Sequence, residues 1–151
     1  MPLAVFDVDG TLVSGRSTEK RFITWLLRRG HLGPFQMLSM VWFILRWFPR
    51  FGRHVFKKNK AYLNGLPVSL IANEAREFVA SMPDHAWIAP ALAELEMHKH
   101  RGDVVVLLSG TLQPIVECLS ARVGADNSVG TECLVERGRF TAAPPSRHPF
   151  Y

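Results

Sequence analysis

Apolar positions along this chain fall into two patterns. Unbroken runs occur at Leu3–Phe6 and Val104–Leu108, and each ends abruptly. Asp7-Val8-Asp9-Gly10-Thr11 follows the first, and Ser109-Gly110-Thr111 the second. Runs of this length and purity read as strands buried on both faces. Elsewhere apolar residues recur at helical spacing. Phe22 and Leu26, widened by Ile23 and Leu27, predict a helix over about 18–29, with Ser17 as N-cap and Gly30 just past its end. Ile71, Ala75, Phe78, Val79 and Met82 predict another over about 70–82, capped by Ser69. Pro90 and Pro114 open two more, which Gly102 and Gly124 stop. A helix is also expected over about 53–64, before Gly65. Val129–Val135 reads as a third strand, and Glu136-Arg137-Gly138-Arg139 as a hairpin turn into Phe140-Thr141. The Pro-rich stretch from Ala142 to Tyr151 shows no element. Two strands separated by a long helical stretch suit a parallel pair joined by a crossover.

Phe35–Phe48 breaks the pattern, being apolar nearly all round between Pro34 and Pro49. As a 14-residue helix it would span roughly 21 Å, too short for an ordinary bilayer crossing. Helices apolar on every side are usually buried, so it is expected in a core, with Pro49 as its stop. Seven of the sixteen aromatic residues lie between Phe35 and Phe56, beside Arg46, Arg50, Arg53, Lys57 and Lys58. That mixture also suits a membrane surface, which stays open as a second reading.

Charge sharpens the contrast between the halves. Residues 1–60 carry a net +8 and residues 61–151 a net −3. The basic half could attract phosphate-bearing ligands or an anionic surface, or be a solvated helical face. At 151 residues and 48% hydrophobic content, the chain can bury one core. Cys118 and Cys133 form no metal or disulfide pattern, and Met1-Pro2 before an acidic motif is no signal peptide. A cytoplasmic location is therefore expected.

The strand ends carry the chemistry. Asp7 and Asp9, two apart, would share one face if the strand continued. Carboxylates so close repel unless a cation or shared proton offsets the charge. A hard divalent cation takes such oxygen ligands. The plainer alternative is an acidic loop at a strand end. Ser109-Gly110 offers a hydroxyl and backbone N–H groups just ahead of a helix, which can bind an anion or simply form a strand-to-helix turn.

Taken whole, Asp7-Val8-Asp9-Gly10-Thr11-Leu12-Val13 resembles the first motif of the haloacid dehalogenase (HAD) superfamily, and Ser109-Gly110 resembles its second. The long helical stretch between them is similar to the inserted cap of the phosphoserine-phosphatase-like branch. The resemblance implies an α/β, Rossmann-like core with a parallel sheet, built from 1–16 and 86–151, and a helical cap over 17–85. It implies a phosphatase in which Asp7 attacks a phosphoryl group and Asp9 acts as acid, then base. Mg²⁺ would bind at Asp7 and Asp9, and Thr11, Arg16, Ser109 and Gly110 would bind substrate. The substrate would be a small phosphate monoester, and no nucleic acid is expected as partner. Arg16 stands where phosphoserine phosphatases carry an acid, and Asn59 where they carry a cap arginine. These departures argue against phosphoserine and favour a second anionic group on the substrate.

The family's later lysine and acidic motifs have no match. Lys99 is the last lysine, and Asp126 is the only aspartate after Ser109. The expectation is therefore a truncated core, a bare apolar first strand and weak catalysis. Arg122, Arg137 and Arg139 are the candidates to replace the missing positive charge.

Overall fold

A computed structural model of the chain describes residues 1–15 and 17–149. Its sheet has three parallel strands in the order β1-β2-β3: Leu3–Asp7, Val104–Leu112 and Asn127–Thr131. β1 and β2 pair in register from Leu3 with Val104 to Asp7 with Leu108, as the crossover pattern required. β2 runs past its expected end at Leu108. Its pairing with β3 is irregular between Leu108 and Leu112, which lets Ser109-Gly110-Thr111 stay in the strand. The third strand begins and ends earlier than expected. Beyond it Val135–Glu136 (β4) and Arg139–Phe140 (β5) form the predicted hairpin. Arg137 and Gly138 both take positive φ, 51° and 74°, which a two-residue hairpin turn of this hand demands.

Among the described residues six α-helices complete the fold: Thr18–Arg28 (α1), Pro34–Phe51 (α2), Val55–Lys58 (α3), Val68–Ala80 (α4), Ala89–His100 (α5) and Gln113–Val123 (α6). α1 ends as its sequence predicts. Gly30 has φ 76°, and the N–H of His31 reaches the Leu26 carbonyl at 3.0 Å. α4 starts two residues early, after Pro67 rather than at a Ser69 cap. The helix expected over 53–64 is instead a short α3 between two 3₁₀ turns, Gly52–His54 and Ala61–Leu63. Asn59 interrupts it, donating to the Met40 carbonyl (3.0 Å) and accepting from the Ala61 N–H (3.2 Å). α2 continues through Pro49 to Phe51. A proline there removes only the bond to the Leu45 carbonyl, which solvent can replace beside a side chain as exposed as Leu45.

The main core lies on one face of the sheet. Ala4, Phe6, Val105 and Leu107 meet Ile115 and Leu119 of α6, Phe22 and Leu26 of α1, and Ile71 and Phe78 of α4. The opposite face is not covered in the same way. Leu3 and Val5 are 63% and 52% exposed, so the first strand is buried on one face and not on both. A second, smaller cluster gathers Phe43, Val55 and Ala61. It uses only one side of α2, whose buried residues are Ser39 and Phe43. The expectation that Phe35–Phe48 lies in the core is thus corrected: Leu38, Trp42 and Leu45 are each about two-thirds exposed, at 68%, 65% and 67%. α3 and the turn after it are too short to wrap a helix of 18 residues.

Candidate functional site

The site is assembled where β1 ends. The Val8 carbonyl accepts the N–H groups of Thr11, Leu12 and Val13 at 3.3, 3.0 and 2.9 Å, and Gly10 takes φ 81°. This tight turn carries Asp9 back toward the start of α1. One Asp9 oxygen accepts the Thr18 N–H at 2.8 Å and the Thr18 hydroxyl at 2.5 Å. The other faces the Thr111 hydroxyl at 3.4 Å. Ser17 holds the N-cap position but makes no side-chain capping bond. Asp9 caps the helix instead, since an acid at a helix N-terminus satisfies both an orphan N–H and the dipole.

Asp7 ends β1 with an exposed side chain. Partial burial pushes its carboxyl above the ordinary range and the nearby charge of Asp9 adds to this, while the Val8 N–H opposes them. Across the sheet, β3 braces the second strand end. The Thr131 hydroxyl donates to the Gly110 carbonyl at 2.7 Å, and the Ser109 hydroxyl accepts the Thr111 N–H at 3.2 Å. Gly130 makes this possible. A Cβ there would stand 2.8 Å from the Thr111 carbonyl oxygen and 2.9 Å from the Gln113 Cα.

A cavity of about 540 Å³ opens over these groups, lined by Asp9, Gly110 and Thr111 on one side and by Glu19, Lys57 and Lys60 on the other. Lys60 is buried and forms an ion pair with Glu19. The second oxygen of Glu19 accepts the Tyr62 hydroxyl at 2.8 Å. His148 also lines the cavity. Burial pushes its imidazole down to about 4, and the charges of Lys60, Lys58 and Lys57 push the same way. A cavity of about 560 Å³ beside Trp87 includes, of the residues expected at the site, only Arg122.

Of the residues singled out in the sequence, Asp9 and Gly110 meet in the first cavity. Asp7 and Ser109 do not line it. The register pairs Asp7 with Leu108, so Ser109 alternates to the other face, where it is buried. Thr11 is exposed in the turn, and its N–H serves the Val8 carbonyl. Arg16 lies outside the described residues. The arginines considered as replacement charges are placed elsewhere. Arg122 donates to the Val79 and Met82 carbonyls, and Arg139 to that of Gly65. Lys57 and Lys60 line the cavity with Asp9 instead. In the sequence Lys57 stands among the basic residues beside the aromatics, and Lys60 falls in no motif. The available signal was Tyr62, an aromatic two positions on, which marks a buried stretch.

The sequence profile of haloacid dehalogenase-like hydrolases matches residues 4–148. No curated protein matches the chain. Among solved structures, a protein with unknown function from Bordetella pertussis Tohama I shares 18% identity and a TM-score of 0.75, over 98% of this chain and 68% of that one. A HAD family hydrolase from Salmonella enterica subsp. enterica serovar Typhi gives 15% and 0.59, over 97% and 46%. A phosphoserine phosphatase, captured as a phospho-aspartyl intermediate analogue, gives 19% and 0.51, over 95% and 62%. The chain thus spans about two thirds or less of these proteins, and the likeness is one of fold.

Proposed function

Because this chain belongs to the haloacid dehalogenase-like hydrolases, we propose that it acts on small phosphate monoesters through a covalent intermediate on Asp7. The observation that carries this reading is the setting of Asp9. Its carboxyl is fixed by Thr18, faces Thr111, and lines a lysine-bearing cavity two residues from Asp7. In the proposed reaction an Asp7 oxygen attacks phosphorus and the phosphorus–oxygen bond to the leaving group breaks. Asp9 gives its proton to the departing oxygen. It then takes a proton from the water that cleaves the acyl phosphate and restores Asp7. Splitting one displacement into two is the usual gain from a covalent nucleophile. The phospho-aspartyl form of the phosphoserine phosphatase of similar fold is in keeping with this chemistry.

The backbone N–H of Gly110 is assigned to phosphate oxygens, with Lys57 and Lys60 supplying positive charge. Asp7 and Asp9 also suit Mg²⁺: they are hard oxygen donors, and beside the burial that mainly raises Asp7, the Asp9 charge adds a repulsion of the kind a divalent cation offsets. The Asp7 carboxyl and the Asp9 backbone carbonyl would hold it. Bound there, the ion would neutralise charge as nucleophile and phosphate approach. Among the described residues no group of three or more His, Cys, Asp or Glu side chains comes together, so no further ligand is assigned.

Turnover is expected to be slow, because Glu19 already neutralises much of the Lys60 charge. The test is hydrolysis of p-nitrophenyl phosphate with Mg²⁺ by the chain and its Asp7→Asn and Lys60→Met variants. Asp7→Asn should fall to background, and Lys60→Met, whose charge is already partly neutralised, should lose less than the roughly 10²-fold of a full preorganised charge partner. Hydrolysis that persists in Asp7→Asn would refute the reading.

A further inference from the structure

The outer face of α2 is the least explained surface of the molecule. Leu38, Val41, Trp42, Leu45 and Phe48 are all exposed and follow one another at helical spacing, while Phe43 on the opposite side is buried. Contiguous apolar faces of this kind mark interaction sites on otherwise polar proteins. The surrounding charge is one-sided. No acidic residue occurs between Glu19 and Glu74, an interval that holds ten lysines and arginines. Arg46, Arg50 and Arg53 are exposed on or just beyond the helix. Arg46 and Arg50 thus flank the stripe on the same helix that carries it.

We propose that this face docks the protein on the interfacial region of an anionic lipid bilayer. The helix would lie in the membrane plane with its aliphatic and Trp42 side chains among the acyl chains and its arginines against phosphate head groups. Two alternatives fit less well. A second copy docked by the same face would set one basic rim against another, since a twofold contact is self-complementary. A soluble polyanion would satisfy the arginines but leave the aliphatic stripe in water. Among the described residues no helix is long and apolar enough to cross a membrane, so the contact is peripheral.

Co-sedimentation of the full chain with vesicles tests this. Vesicles of phosphatidylcholine alone are compared with an equimolar mixture of phosphatidylcholine and phosphatidylglycerol. The anionic vesicles should retain the protein at about 0.1 M salt and release it near 1 M, where the Debye length falls from about 10 to 3 Å. Leu38→Glu/Leu45→Glu, with its fold checked by circular dichroism, should partition at least about tenfold less, as expected for losing two buried leucines. Arg46→Gln/Arg50→Gln should weaken binding to the anionic vesicles alone. Binding should shift Trp emission to the blue in the parent chain but not in Trp42→Phe, which should still bind. Protein left in the supernatant with both vesicle types at low salt would overturn the proposal. So would a parent-like Leu38→Glu/Leu45→Glu. A dimer that this double variant dissolves, seen by analytical ultracentrifugation without vesicles, would overturn it in favour of a second copy. Binding to a soluble polyanion that the same variant leaves unchanged, together with no vesicle retention, would overturn it in favour of nucleic acid.

Discussion

Thr18 is fully buried and makes two of the three contacts that fix Asp9. Thr18→Val keeps the backbone N–H bond and the shape but removes the hydroxyl. It should cost about 1 kcal/mol in urea denaturation, the usual value of a capping bond. Asp7 should behave in the opposite sense. Its carboxyl titrates above the ordinary range, so the fold disfavours its charged form. Stability is withdrawn as pH rises from the ordinary value of roughly 3.9 through the raised one. Asp7→Asn escapes this and should match or exceed the parent in thermal stability at neutral pH. A melting temperature clearly below the parent's would contradict that. The turn that carries Asp7 and Asp9 was legible because its residues are consecutive. The Lys60–Glu19 pair was not, because its partners are 41 residues apart and meet only through tertiary packing.

Among the elements, helix starts and stops marked by proline and glycine were readable to within a few residues, as at Gly30 and Gly124. The environment of α2 was not. An all-round apolar sequence tells how a helix would gain by burial, not whether enough neighbouring surface exists to bury it. Two element junctions yield firm expectations. Gly130→Ala would push a Cβ into backbone atoms of Thr111 and Gln113 that cannot yield separately. It should destabilise by roughly 1–3 kcal/mol, measured by thermal melting, and lower activity with it. α4 is tied to α1 by Glu74, which is buried and meets Trp25 (2.7 Å), Arg29 (2.8 Å) and His31 (2.9 Å). Burial by itself would raise the Glu74 carboxyl, but the Trp25 and His31 hydrogen bonds and the Arg29 charge outweigh it and bring it below its ordinary value. The resulting stability is present above roughly pH 4.3 and lost as pH falls through the lowered value. Glu74→Gln should cost about 1.5–3 kcal/mol at pH 7, the worth of hydrogen bonds to a charged group. Its deficit should shrink on acidification; a deficit that stays constant with pH would rule out this account.

At the scale of the molecule, the parallel β1–β2 pair and the long helical crossover followed from the two apolar runs. The openness of one sheet face did not, because Leu3 and Val5 read as core whichever way they point. Among the described residues β1 forms one edge of the sheet, and its exposed side chains are apolar. Such edges invite pairing between molecules. Val5→Lys should therefore raise the concentration at which light scattering detects aggregates, while shifting stability by less than about 0.5 kcal/mol, as surface substitutions do.

The pairing of β1 with β2 also fixes an order of events in time. Strand residues Leu3–Asp7 find their hydrogen-bond partners only at Val104–Leu108. At a synthesis rate of roughly 5–20 residues per second, the first strand therefore waits about 5–20 seconds on the ribosome for its neighbour to be made. During that wait the intervening helices can close on Phe22, Leu26, Ile71 and Phe78, which lie closer in sequence than the two strands do and so can meet sooner. Asp9 and the Thr111 that faces it meet last, so this corner of the protein comes into being after the scaffold around it has been laid down.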